Sequence, residues 1–330
     1  MEKSKFMKIN CHDYSHEDVV KVSSVFKKGG LVIFPTETVY GIGADAGSDA
    51  ACKRIFQVKS RKQDNPLIVH VDSIDTMKKF ALTEEIELLP ELEKLWPGPL
   101  TVVMRKKDNI CNAASAGLDT VGMRIPACDF IREVIHSSGI PIAAPSANIS
   151  GRPSATRIEH IISELGQKVD LIIDSGETIY GIESTVILPE GRKCTILRPG
   201  AYTEEDLLKI FDVVEYSVPG GKVLSPGAKY THYSPEKRLY RAERSILVEY
   251  LEEHRGKVLP IITFETHEIT GGDAIILGHE NDPMEISHNL YHSLRLLDSS
   301  EYEYGIIESF PHRGYFTSIM NRIEKASIEI

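Results

Sequence analysis

Apolar residues occur along this chain in short runs, separated by stretches with helical spacing. Residues 31–34 form an apolar run behind Gly29 and Gly30, which predicts a buried strand. Ser48 is placed to cap a helix whose apolar positions are Ala51, Ile55, Phe56 and Val58. A strand over 67–71 follows the turn signal Asp64, Asn65, Pro66, and a helical stretch ends near Trp96 because Pro97, Gly98 and Pro99 cannot continue it. Further strands are predicted at 100–104, 121–125, 141–144, 169–173 and 185–188, with helices at 130–136 and 158–165 between them. Such alternation means an α/β sheet. Beyond Arg198, Pro199 and Gly200 the texture changes. A helical pattern at 204–211 leads into 218–233, where two prolines and three glycines break any periodicity. Strands at 258–264, 274–277 and 305–309 then alternate with helices at 245–254, 286–297 and 318–326. The reading is a first domain over 1–212, a linker or lid over 213–236, and a smaller α/β domain over 237–330.

Composition excludes several classes. A hydrophobic fraction of 42% with 26% charged residues is ordinary for a folded protein. There is no run of eighteen apolar residues, and the lysine-rich start lacks the apolar core of a signal peptide, so neither a membrane span nor secretion is expected. The five cysteines are odd in number, widely spaced and without a Cys-x-x-Cys pair. That excludes a disulfide framework and a clustered zinc site, and predicts a reducing, cytoplasmic setting. A formal charge of −10 argues against a general nucleic-acid coat but leaves room for a local basic pocket.

Four constellations could carry chemistry. Lys59, Arg61 and Lys62 lie between a helix end and a strand, with Asn65 and His70 beyond. Basic residues there offset the helix dipole, yet the same set could clamp a polyphosphate. PTETVYGIG at 35–43 follows a buried strand and brings hydroxyls to a strand end. Its glycines also match a dinucleotide fingerprint, but the six-residue gap after the strand and the basic stretch twenty residues on favour a plain glycine turn. PSANISGRPS at 145–154 offers hydroxyls, a carboxamide and backbone N–H groups after another strand. Thr120, Arg124, Ser184, Thr185 and Arg198 form the fourth group. Each arginine sits in an apolar strand pattern, where a salt bridge and an anionic ligand explain it equally well. No Walker A, H-E-x-x-H or G-x-S-x-G motif occurs.

In order along the chain, PTETVYGIG, KSR with DNPLIVH, LWPGPLT, GLDTVGMRIP, PSANISGRPS, ESTVI and LRPGA resemble the threonylcarbamoyl-AMP synthases, which carry a YrdC-like catalytic domain. SPGAKYTHY at 225–233 and MNR at 320–322 are similar to the longer two-domain form. The resemblance implies a twisted, mixed open sheet with a concave groove, plus a smaller Rossmann-like α/β domain. It implies a nucleotidyltransferase reaction. L-Threonine and bicarbonate (or CO2) form a carbamate, whose oxygen attacks the α-phosphate of ATP to give threonylcarbamoyl-AMP and pyrophosphate. Other proteins then transfer the threonylcarbamoyl group to tRNA.

Carried over motif by motif, the resemblance implies that Lys59 and Arg61 are catalytic and face the triphosphate with Asn65. Thr120, Ser146, Asn148, Ser154 and Arg198 would surround the nucleotide. Tyr230, His232 and Tyr233 would belong to a lid over it. Arg124, Thr38, His70, the backbone at Ala144 and Ser184 would hold the threonine. Mg2+ would ride on the ATP phosphates, with no protein metal ligand. A weak tRNA contact and downstream threonylcarbamoyl transferases would be the macromolecular partners, with no membrane. Double-stranded RNA or tRNA binding by the same basic groove is the alternative, and steep salt dependence would be its mark. Either way, Arg61, Arg124 and Arg198 are expected to converge on one hollow.

Overall fold

The structure is a computed structural model that describes residues 5–218, 233–254 and 256–330. Its first sheet contains β1 (Lys5–Lys8), β2 (Val32–Phe34), β3 (Gly41–Asp45), β4 (Ile68–His70), β5 (Leu100–Arg105) and β6 (Thr120–Arg124). It continues with β7 (Ile142–Ala144), β8 (Leu171–Asp174), β9 (Thr185–Glu190), β10 (Lys193–Arg198) and β11 (Val213–Tyr216). The spatial order is β1-β8-β2-β3-β7-β4-β6-β5-β9-β10-β11, with parallel and antiparallel neighbours mixed. The second sheet comprises β12 (Arg238–Ala242), β13 (Val258–Ile262), β14 (Ile275–Ile276), β15 (Tyr304–Glu308) and β16 (Ile328–Glu329). Its order is β14-β13-β15-β12-β16 and every pair in it is parallel. A mixed sheet beside a smaller Rossmann-like unit is the expected class.

Local signals account for much of this. Ser48 accepts from the Ala51 N–H and starts helix Asp49–Lys59, and Thr263 caps Phe264–Thr270 in the same way. Phe264 therefore opens a helix rather than ending a strand. Residues 213–216, expected in the linker, instead add β11 to the edge of the large sheet, parallel to β10. Helix His16–Lys27, absent from the pattern reading, is fixed by a capping box at Ser15 and Asp18 and buries Val19, Val22 and Phe26.

Two expectations are corrected. Gly41 and Gly43 are not a turn. They lie in β3, opposite Phe34 and Val32 of β2, and a Cβ on Gly43 would stand 2.5 Å from Ile142 Cγ2 and 2.6 Å from the Phe34 ring. Close approach of packed side chains, not a reversed backbone, requires glycine there. Cys11 and Cys128 are joined in a disulfide across 117 residues, leaving Cys52, Cys111 and Cys194 free. Spacing along the sequence carries no trace of that pairing. Among the described residues no helix is long and apolar enough to cross a membrane.

Candidate active site

Four adjacent strands of the large sheet, β3-β7-β4-β6, provide the floor of a concave space. Because β4 runs antiparallel to β7 and parallel to β6, Ile68 pairs with Ala144 and His70 pairs with Arg124. Paired residues share a face of the pleat, so the site lies on the sheet's face rather than beyond its strand ends. Walls come from the segments that sequence reading singled out. Thr36 and Thr38 stand on one side, with Lys59 and Arg61 beside them. Ser146, Asn148 and Ser154, then Ser184 and Arg198, close the rest. Arg61, Arg124 and Arg198 therefore face one cavity.

Two expected residues stand elsewhere. Thr120 opens β6 opposite Arg105, four residues from Arg124, and does not line the cavity. Asn65 is buried behind the lining, where its carbonyl accepts from Arg61 Nη2 at 3.4 Å. Tyr230 and His232 lie outside the described residues; Tyr233 lines the cavity.

The cations are held in three different ways. Arg124 is anchored in advance: Nη2 lies 2.7 Å from Glu37 Oε1, Nη1 donates to Thr38 Oγ1 at 2.9 Å, and Nε donates to the Gly98 carbonyl at 3.2 Å. Lys59 donates to the carbonyls of Ser146 and Asn148, which commits two of its three protons to the shape of loop 145–154. The Asn148 carboxamide also serves that loop, donating to Ile149 and Arg152 carbonyls at 2.8 Å. Arg61 and Arg198 have no ion-pair partner among the described residues. Among the described residues the Arg198 side chain donates to Ser184, to the carbonyl at 2.9 and 3.2 Å and to the hydroxyl at 3.1 Å. Burial and the facing Arg198 push the Arg61 guanidinium down to about 10, while Tyr233 and Asp64 act against the fall. Burial also lowers Arg198 and Lys59, and Arg61 presses further on Lys59. Arg61, Arg124, Arg198 and Lys59 share a lining whose one carboxylate among the described residues, Glu183, is already paired with Arg322, and such a site favours an anion.

His70 is pushed down to about 3 by burial and by Arg124, and His160 falls to about 3 by burial and Arg295. Both imidazoles are neutral in the folded chain near pH 7. Between pH 6.5 and 3 the unfolded chain binds more protons than the folded one, so their stabilisation is full above 6.5 and lost as pH falls. Denaturant unfolding is expected to lose about 1.4 kcal/mol per pH unit for each such histidine. In His70→Gln the same titration should be shallower. A slope equal to that of the wild type would place His70 in a protonated state.

Glu183 and Arg322 stand in the ESTVI and MNR motifs, and neither is among the residues expected at the site. Glu183 lines the cavity, and Arg322 reaches it from helix Phe316–Ala326 of the smaller unit, with Nη2 at 3.1 Å from Oε2. A signal existed: Arg322 lies in the apolar stripe of Ile319, Ile323 and Ala326, where an unpaired guanidinium is costly. Tyr233 and Tyr291 stack beside the pair, with ring centroids 5.4 Å apart.

Comparison with known proteins bears on the whole length. A family model described as "Telomere recombination" matches residues 24–200, and one described as "Threonylcarbamoyl-AMP synthase, C-terminal domain" matches residues 202–327. The threonylcarbamoyl-AMP synthase of Pyrococcus abyssi is 36% identical, with 97% of each chain covered. The chain belongs to the threonylcarbamoyl-AMP synthase family. The Bacillus subtilis threonylcarbamoyl-AMP synthase is 35% identical over 94% of this chain and 92% of its own. The crystal structure of P. abyssi Sua5 complexed with L-threonine superposes with a TM-score of 0.87 at 34% identity, covering 99% of this chain and all of that one. Both sheets thus lie within the length that superposes on that structure.

Proposed function

We propose that this cavity makes threonylcarbamoyl-AMP and pyrophosphate from L-threonine, bicarbonate or CO2, and ATP, the activity that the family's name describes. The carrying observation is a half-buried Arg61 and a buried Arg198, neither in a salt bridge among the described residues, beside an Arg124 already fixed by Glu37 and Thr38. Two anionic substrates repel each other in water; here each would meet its own cation. Arg61 and Arg198 would take the triphosphate, with Ser146 and Asn148 shaping the loop above it. Arg124 would take the threonine carboxylate, beside Thr38, the Ala144 backbone, Ser184 and His70, whose Nδ1 is buried without a hydrogen-bond partner among the described residues. Lys59 and Asn65 are read as positioning residues for loop 145–154 and for Arg61, and Thr120 is left outside the proposed set.

The carbamate oxygen of N-carboxythreonine forms a bond to the α-phosphorus as the bond to the β-phosphate oxygen breaks, and pyrophosphate leaves. Catalysis is then positioning and charge neutralisation, with no covalent enzyme intermediate. The magnesium ion enters as part of the nucleotide substrate. Glu183, the carboxylate in the lining, is fully engaged by Ser154, Tyr291 and Arg322, so the phosphates are its natural ligands. We read the segment after β11 that carries Tyr230, His232 and Tyr233, of which Tyr233 lines the cavity, as the cover of the nucleotide. A lid has a reason, because carbamates lose CO2 and acyl phosphates hydrolyse in water. Transfer of the product to tRNA by other proteins, in the cytoplasm, completes the reading.

The test is a pyrophosphate-release assay with purified protein, Mg·ATP, bicarbonate and each amino acid in turn. Release that requires threonine and bicarbonate together is expected. Release with neither, or RNA retention that collapses with salt while no pyrophosphate forms, would replace this reading with a nucleotidase or an RNA binder.

A further inference from the structure

Glu183 is the meeting point of the two units. Ser154 Oγ donates to its Oε1 at 2.5 Å, the Tyr291 hydroxyl donates at 2.9 Å to Oε2, and Arg322 donates to Oε2 from Nε at 3.2 Å and Nη2 at 3.1 Å. Arg322 and Arg198 hold the carboxyl down at about 2 against the effect of burial, so it accepts and never donates near neutral pH. The same Arg322 donates from Nη1 to the Pro199 carbonyl, and Ser318 Oγ donates to the Gly200 carbonyl at 2.7 Å. One helix of the smaller unit therefore grips both segments that border the nucleotide side of the cavity.

Hydrogen-bond arithmetic then fixes the chemistry of Ser154. A serine hydroxyl has one proton and two lone pairs. Its proton is committed to a charged carboxylate, the stronger kind of partner. What remains for a ligand is acceptor capacity only, which repels a phosphate oxygen and suits an O–H or N–H group.

We propose that Arg322 and Glu183 act from outside the reacting centre as positioning residues that make Ser154 an obligatory hydrogen-bond acceptor for a donor group of the nucleotide. ATP carries that chemistry on its 2′-hydroxyl, its 3′-hydroxyl and its 6-amino group. The inference rests on the ATP reading above, and within it assigns Ser154 to the nucleoside rather than to the phosphates. The smaller unit becomes a determinant of which nucleotide is accepted, not only a cover.

The test measures affinity directly, by calorimetric titration of the full chain with ATP, 2′-deoxy-ATP, 3′-deoxy-ATP and purine riboside triphosphate. One analogue, lacking the donor that Ser154 accepts, is expected to bind about tenfold more weakly than ATP. In Ser154→Ala that penalty should vanish, with ATP weakened to the level of the analogue. Glu183→Gln, and Glu183→Gln combined with Arg322→Met to avoid an unpaired buried arginine, should shrink the same penalty while threonine dependence is retained. Equal binding of ATP and all three analogues by the wild type would overturn the proposal, as would a penalty that persists in Ser154→Ala. If the Glu183 variants do not fold, Ser154→Ala still decides. Binding of ATP without pyrophosphate release would remove the proposed reaction and leave this comparison intact.

Discussion

Replacing Arg61 with methionine is expected to cut threonine-dependent pyrophosphate release by about 100- to 1,000-fold, the loss typical of removing one preorganised donor from a developing anion. Stability should move the other way. Arg61 is half-buried, its Nε has no hydrogen-bond partner among the described residues, and Nη2 reaches the Asn65 and Pro66 carbonyls at 3.4 and 3.2 Å. A charge held beside Arg198 with so little compensation is a cost to the empty fold. Thermal unfolding of Arg61→Met should therefore occur at an unchanged or higher temperature, and added ATP should raise it less than in the wild type. Near-normal turnover, or a variant that is inactive because it is unfolded, would take Arg61 out of the anion site.

Arg124 presents the opposite balance. Its guanidinium is already paired with Glu37, so Arg124→Ala would leave a buried carboxylate alone and cost about 3–5 kcal/mol of stability. Arg124→Lys keeps the charge and loses the planar fork. That variant is expected to raise the KM for threonine by about 10- to 100-fold, the worth of one hydrogen bond to a charged group, with little change in the KM for ATP. Arg124→Met combined with Glu37→Gln removes both buried charges and should fold, yet show the same selective loss of threonine dependence. Unchanged threonine kinetics in the two folded variants would make the Arg124–Glu37 pair a structural link alone.

The ordered motifs made the site's chemistry legible because each is a short polar break beside an apolar run. PTETVYGIG, KSR, PSANISGRPS and the embedded arginines announced a polar, cationic hollow before any fold was known. Alternating apolar patterns and caps such as Ser48 likewise determined the α/β class and most elements, since these depend on neighbours within a turn or two. Long-range geometry decided the rest. Only the register of β4 between β6 and β7 places His70, Arg124 and Ala144 on one face, and only the packing of Phe34 and Ile142 explains Gly43. Thr120 and Arg124 share one motif but stand at opposite ends of β6, and only the Arg124 end lines the cavity. Arg322 joins Glu183 across 139 residues, and Cys11 joins Cys128 across 117. The sequence by itself determined which charges and hydroxyls the protein has to offer. Tertiary structure alone decided which of them are neutralised, which are committed to the fold and which are left facing the cavity, because a pairing between distant segments leaves no periodic mark on either one.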